Sequence, residues 1–240
     1  MESSKREPLL RELKDYLIHL KDLGYTEIPC EANLSASTEI ASPQSHSPIS
    51  SNEMAKSLTA VKKELGDCTR CKLSQTRKNI VFGSGNPNAD LVFVGEGPGA
   101  DEDEQGLPFV GRSGKKLTEI IEKGMGLNRE KDTYICNIVK CRPPGNRDPE
   151  PEEIAACKPF LVQQLKAIKP KVIVALGKPA SSTLLGRTVP IVKERGTWHE
   201  YEGIKLMLTF HPSYLIRFYT LENRKAVHDD MKKVLKELKR

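Results

Sequence analysis

The apolar and polar positions divide the chain into three parts. Over residues 6–25, Leu9, Leu10, Leu13, Tyr16, Leu17, Leu20 and Leu23 fall along one helical stripe, with charge on the other faces. The spacing predicts an amphipathic helix ending near Gly24. Such a helix either docks on its own core or serves as a handle for a protein partner. Residues 29–52 are rich in Ser and Pro, lack periodicity and carry only two charges, both acidic, which predicts a flexible linker. Residues 53–240 must then form the functional domain.

Within that domain four short β-rich runs, at 90–95, 133–139, 171–177 and 205–210, alternate with helical patterns at 114–124, 151–169, 178–185 and 221–239. Near-continuous apolar strands separated by helices predict a parallel sheet covered on both faces. The expected fold is α/β: a three-layer α/β/α sandwich with a central four-stranded parallel sheet.

Composition excludes several classes. No run of about eighteen apolar residues suggests a membrane span. The first residues, MESSKREPLL, lack the apolar core of a secretion signal, so a cytoplasmic protein is expected. Reduced thiols in that compartment make clustered cysteines ligands or nucleophiles before disulfides. The formal charge of +6 mildly favours a polyanionic partner.

Sites in open α/β sheets lie beyond the carboxyl ends of the strands, and unusual residues gather there. The first run leads into Gly95-Glu96-Gly97-Pro98-Gly99, the second carries Asn137, and the fourth leads into His211-Pro212-Ser213. The glycine loop fits a dinucleotide fingerprint poorly, because its third Gly comes early and the acidic run 101–104 follows; these acids read best as a helix cap. Glu96, flanked by glycines, can position a water or oppose positive charge. Phe109 is either a loop anchor or a stacking surface for a planar ring. Asn137 interrupts an apolar strand, and its amide suits the polar edge of a base. His211, stiffened by Pro212, is a catalytic candidate. Tyr214, Leu215 and Ile216 beside Arg217 form an apolar wedge for a base stack, unless Leu215 packs inward. Lys115, Lys140, Arg142, Arg147 and Arg217 either neutralise phosphates or are solvated surface charges. Of six cysteines, Cys68 and Cys71 form a CxxC, and with Cys141 and Cys157 they make a four-thiolate set suited to zinc or an iron–sulfur cluster. Cys30 and Cys136 read as ordinary residues.

The segments GEGPGADEDEQGLPFVGRSG, NIVKCRPPGNRDPEPEEIAAC, RGTWHEYEG and TFHPSYLIR together resemble the family 4, iron–sulfur uracil-DNA glycosylases, over residues 55–240. The resemblance implies that Cys68, Cys71, Cys141 and Cys157 hold a [4Fe-4S] cluster. It implies that Glu96, Gly97 and Pro98 contact uracil and the attacking water, that Phe109 stacks on the base, that Asn137 reads its polar edge, and that His211 sits against its carbonyl. Other branches carry Asp where Gly97 stands, so Glu96 is the first choice to position the water, with Glu102 as a support for the His211 loop. The implied partner is uracil-containing DNA, single- or double-stranded, and the implied state a monomer. The rival readings are a non-catalytic iron–sulfur or zinc DNA-binding module and a nucleotide-binding transferase built on the glycine loop.

Overall fold

The computed structural model describes residues 57–239. The amphipathic helix and the linker read from the sequence lie outside the described residues. The sheet has β1 (Ser84–Gly85), β2 (Leu91–Gly95), β3 (Thr133–Asn137), β4 (Val172–Leu176), β5 (Trp198–Tyr201) and β6 (Ile204–Thr209) in the spatial order β1-β3-β2-β4-β6-β5. The central β3, β2, β4 and β6 are parallel, as the alternation of elements predicts.

The two outer strands are antiparallel and correct the four-stranded expectation. β1 is a Ser-Gly pair with no apolar signal. β5 reaches β6 through Glu202-Gly203, both at positive φ (51° and 79°). That is a tight hairpin turn without the usual Asn-Gly signature.

Apolar residues alternate to the two faces of the sheet. Val92, Val94, Ile173, Ala175, Leu206 and Leu208 pack into one core, while Leu91, Phe93, Val172, Val174 and Met207 pack into the other. Burial on both faces is why these runs read as continuous hydrophobic segments rather than alternating ones.

The helices are α1 (Leu58–Leu65), α2 (Ala100–Gln105), α3 (Arg112–Glu119), α4 (Arg129–Asp132), α5 (Pro151–Ile168), α6 (Gly177–Leu185), α7 (Ile191–Glu194), α8 (Pro212–Arg217) and α9 (Leu221–Leu238). α3 runs into a π-turn at Ile120–Gly124, so the predicted helix is present but starts earlier and widens at its end. α5 starts at Pro151, where a missing N–H costs nothing, and Glu153 reaches back to the N–H of Glu150 at 2.8 Å. The acidic run 101–104 forms α2, where carboxylates suit the positive end of the helix.

Candidate active site

Register places the site. Gly95 at the end of β2 pairs with Asn137 at the end of β3, and β6 ends at Thr209, two residues before His211. Around these ends lies a cavity of about 530 Å³ whose walls include Glu96, Phe109, Asn137 and His211.

Phe109 is held in an uncommon conformation. Its φ is 53°, a region that non-glycine residues seldom occupy. Two groups secure it. Arg129 on α4 donates from Nη1 to the carbonyl of Phe109 at 2.9 Å and from Nη2 to that of Pro108 at 2.7 Å. Glu102 on α2 accepts the N–H groups of Val110 and Gly111 at 2.9 and 2.8 Å, and its other oxygen accepts the N–H of Gly99 at 3.1 Å. Glu102 thus binds the Phe109 loop to the glycine loop, not the loop of His211 that the family resemblance implied. At Gly114 a Cβ would stand 1.9 Å from the carbonyl carbon of Phe109, so that approach requires glycine. The Phe109 ring ends 5.8 Å from the His211 ring, centroid to centroid.

Asn137 is 1% exposed, and its Oδ1 has no hydrogen-bond partner. Buried acceptors are almost always satisfied, so this one is an opening for a ligand donor. The strand end is fixed from behind by Lys140, whose Nζ donates to the Asn137 carbonyl at 2.7 Å.

His211 caps α8, and the chain dictates its tautomer. The backbone N–H of Ser213 can only donate, and it lies 3.2 Å from Nδ1. Nδ1 is therefore an acceptor, and the Ser213 hydroxyl donates to it as well at 2.7 Å. In the neutral ring the proton then sits on Nε2. Burial, with a smaller push from Arg217, lowers the His211 pKa to about 4, so the ring is neutral near pH 7. Gly177, at φ 85°, lets this histidine in: a Cβ there would lie 2.8 Å from the His211 Cβ.

Glu96 is tuned the other way. Burial raises its pKa to about 7, helped by the charge of Asp148 and a hydrogen bond with the Asp148 side chain. Asp148 follows Arg147, which is tied to buried Glu153 by two bonds of 2.9 and 2.7 Å. At Gly97 a Cβ would come 2.8 Å from Val139 Cγ2, so little room exists for the Asp that other branches carry there.

The four cysteines of interest share one locus. Cys157 feels the charges of Cys71 and Cys68, and Cys141 feels those of Cys157 and Cys71. Burial pushes the Cys141 thiol up to about 12 and raises Cys157 too. N–H donors nevertheless aim at three sulfurs. Arg70 lies 3.3 Å from Cys68 Sγ, Arg77 3.7 Å from Cys141 Sγ, and the Lys140 N–H 3.3 Å from Cys157 Sγ. Donors around sulfur suit thiolates held by a metal centre. No group of three or more His, Cys, Asp or Glu side chains among the described residues is arranged to hold a metal ion. Four sulfur donors are the ligand set of either a structural zinc or an iron–sulfur cluster.

Comparison with known proteins agrees with this geometry. Residues 82–239 match the family model of the uracil DNA glycosylase superfamily. The chain belongs to that superfamily. It is similar to the type-4 uracil-DNA glycosylase of Thermotoga maritima, at 49% identity over 182 residues, covering 75% of this chain and 94% of the relative. The type-4 enzymes of Saccharolobus solfataricus and Archaeoglobus fulgidus are 43% and 42% identical, covering 75% of this chain and 86% and 92% of theirs.

In this superfamily member Lys140 and Arg147 depart from the sequence expectations, and Leu215 takes the inward-packing alternative. Leu215 is 3% exposed and belongs to the core beside α9, because α8 turns it inward; it cannot act as a wedge in this conformation. Lys140 is wholly buried and cannot meet a phosphate. Arg147 is committed to Glu153 and Glu150. Tyr214 is half-buried and Arg217 exposed, both lining the cavity of this superfamily fold. Sequence reasoning missed Arg129, Arg77, Asp148 and Gly177. Of these, only an Asp within GNRDP, next to the cysteine segment, carried a local hint.

Proposed function

We propose that the chain is a DNA-repair enzyme that takes uracil out of DNA and hydrolyses its N-glycosidic bond, releasing uracil and leaving an abasic site. The observation that carries this reading is the buried, unpartnered Oδ1 of Asn137 at the end of a cavity that also holds a neutral His211 and a perturbed Glu96.

A base stacked in a duplex is out of reach, so uracil must enter this cavity extrahelically. Phe109 gives its ring a face to stack on. The Asn137 Oδ1 accepts from uracil N3–H, and its amide nitrogen donates to O4. Cytosine presents the reverse pattern and leaves buried groups unpaired, at about 1–3 kcal/mol each. Breaking the bond builds positive charge on the sugar and negative charge on the base. The Glu96 carboxylate opposes the first and takes the proton of the attacking water; the His211 Nε2–H donates to the uracil oxygen and stabilises the second. The leaving base then takes a proton from solvent.

Cys68, Cys71, Cys141 and Cys157 would hold a [4Fe-4S] cluster. When bound it supplies structural cross-linking, since glycosidic hydrolysis transfers no electrons. Tyr214 and Arg217 at the cavity mouth contact the DNA, single- or double-stranded. No helix among the described residues is long and apolar enough to cross a membrane; the proposed site of action is the cytoplasm, on the nucleoid, as a monomer.

Uracil release from a labelled single-uracil oligonucleotide tests the reading. Wild type should release uracil, and Asn137→Ala should fall by roughly tenfold to a hundredfold, as expected from losing buried bonds of about 1–3 kcal/mol. Iron-loaded protein that binds DNA yet releases no uracil would favour a non-catalytic binding module.

A further inference from the structure

Phe210, Tyr214 and Phe218 recur every four residues and form an aromatic ladder. The Phe210 and Tyr214 rings stack with centroids 4.4 Å apart, and Tyr214 and Phe218 follow at 4.8 Å with a 44° tilt. The ladder begins in the core at Phe210, which is 6% exposed, and ends on the surface at Phe218, which is 54% exposed. Phe218 also lines the cavity that contains Glu96, Asn137 and His211.

A single exposed aromatic needs no special account. This one differs in two respects. Its ring is braced by Tyr214, so ordering it against a ligand costs less side-chain entropy than for a free phenyl group. Its neighbours are also arranged for a polyanion. Tyr219, 59% exposed, has the Arg224 guanidinium 5.1 Å from its ring centroid, and Lys116 Nζ, 5.3 Å from it, is paired with Glu119. An apolar tip at the mouth of a pocket for a base, with exposed Arg217 on the same cavity wall and Arg224 at the next aromatic residue, matches a DNA strand and not a purely apolar partner. Leu215, the residue at the expected wedge position, faces the core instead.

We infer that Phe218 is the side chain that enters the DNA base stack beside the extrahelical nucleotide, with Arg224 meeting a flanking phosphate. This inference rests on the glycosylase reading and identifies the residue that holds the duplex open. A duplex must be unstacked before its uracil reaches the pocket, whereas a uracil in single-stranded DNA has few neighbours to displace.

The test compares single-turnover uracil release by wild type, Phe218→Ala and Phe218→Trp on one sequence, presented single-stranded and as a duplex. Phe218→Ala should lose roughly tenfold or more activity on the duplex beyond any loss on the single strand, as expected from removing one base–aromatic stack. Phe218→Trp, which restores a stacking face, should recover the duplex rate. A 2-aminopurine next to the uracil should brighten on binding wild type and brighten less with Phe218→Ala. An active wild type whose Phe218→Ala variant loses equally on both substrates, or on neither, overturns the inference alone. A wild type inactive on both overturns the glycosylase reading and the inference with it.

Discussion

The pH dependence of the chemical step should report Glu96. Its carboxyl is shifted from an ordinary 4.5 to about 7, first by burial and then by Asp148. The active form is the carboxylate, because it opposes sugar cation and accepts the proton of water, so the rate must rise with pH. With a midpoint near 7, half the molecules are competent at pH 7 and about a tenth at pH 6, with a further tenfold loss per unit below that. His211, held to about 4, stays neutral throughout and adds no second limb above pH 5. The other charged groups on the cavity wall are Glu102, Arg147, Lys178 and Arg217. Glu102 is occupied by backbone N–H groups and Arg147 by Glu153, so Asp148 is the neighbour that shifts Glu96. Asp148→Asn removes the like charge but leaves the burial. The midpoint should therefore move down, yet stay above 4.5 because burial is the larger cause. The assay is single-turnover release from a single-stranded substrate between pH 5.5 and 8.5, at constant ionic strength. A rate that is flat from pH 6 to 8, or a midpoint that Asp148→Asn leaves in place or raises, would refute the assignment of Glu96 as the base.

Two further outcomes follow from the supports of the pocket. Gly114→Ala places a methyl group against the Phe109 carbonyl and should cost about 1–3 kcal/mol, the usual range for overpacking, read as a lowered melting temperature together with a raised KM. Cys141→Ser should lower bound iron and sulfide and bleach the visible absorbance of anaerobically purified protein; a colourless wild type that holds one equivalent of zinc would contradict the cluster assignment.

The parts of this protein that could be read from its sequence share a physical property. Three of the four apolar runs of the central sheet lead into a residue that cannot be explained by the core, and Gly95, Asn137 and His211 announce the site for that reason. Parallel strands bring such ends together without further information, since every central strand points the same way. The parts that stayed hidden are those in which one side chain satisfies the backbone of a distant loop. Arg129 is twenty residues from Phe109 and lies in a short helix with no apolar pattern, so nothing local shows that its guanidinium holds the Phe109 carbonyl. Arg77 likewise reaches Cys141 across 64 positions. For Leu215 the sequence left two readings open, and Phe218 carried no signal, for a different reason. α8 spans only Pro212–Arg217, too few residues for periodicity to say which side of it is buried. Three positions separate the two side chains, yet one joins the core and the other the surface, because Phe218 has left the helix: as its C-cap it has φ −120° and ψ 67°. The end of that helix, more than its amphipathic pattern, decides which apolar residue is free to meet DNA.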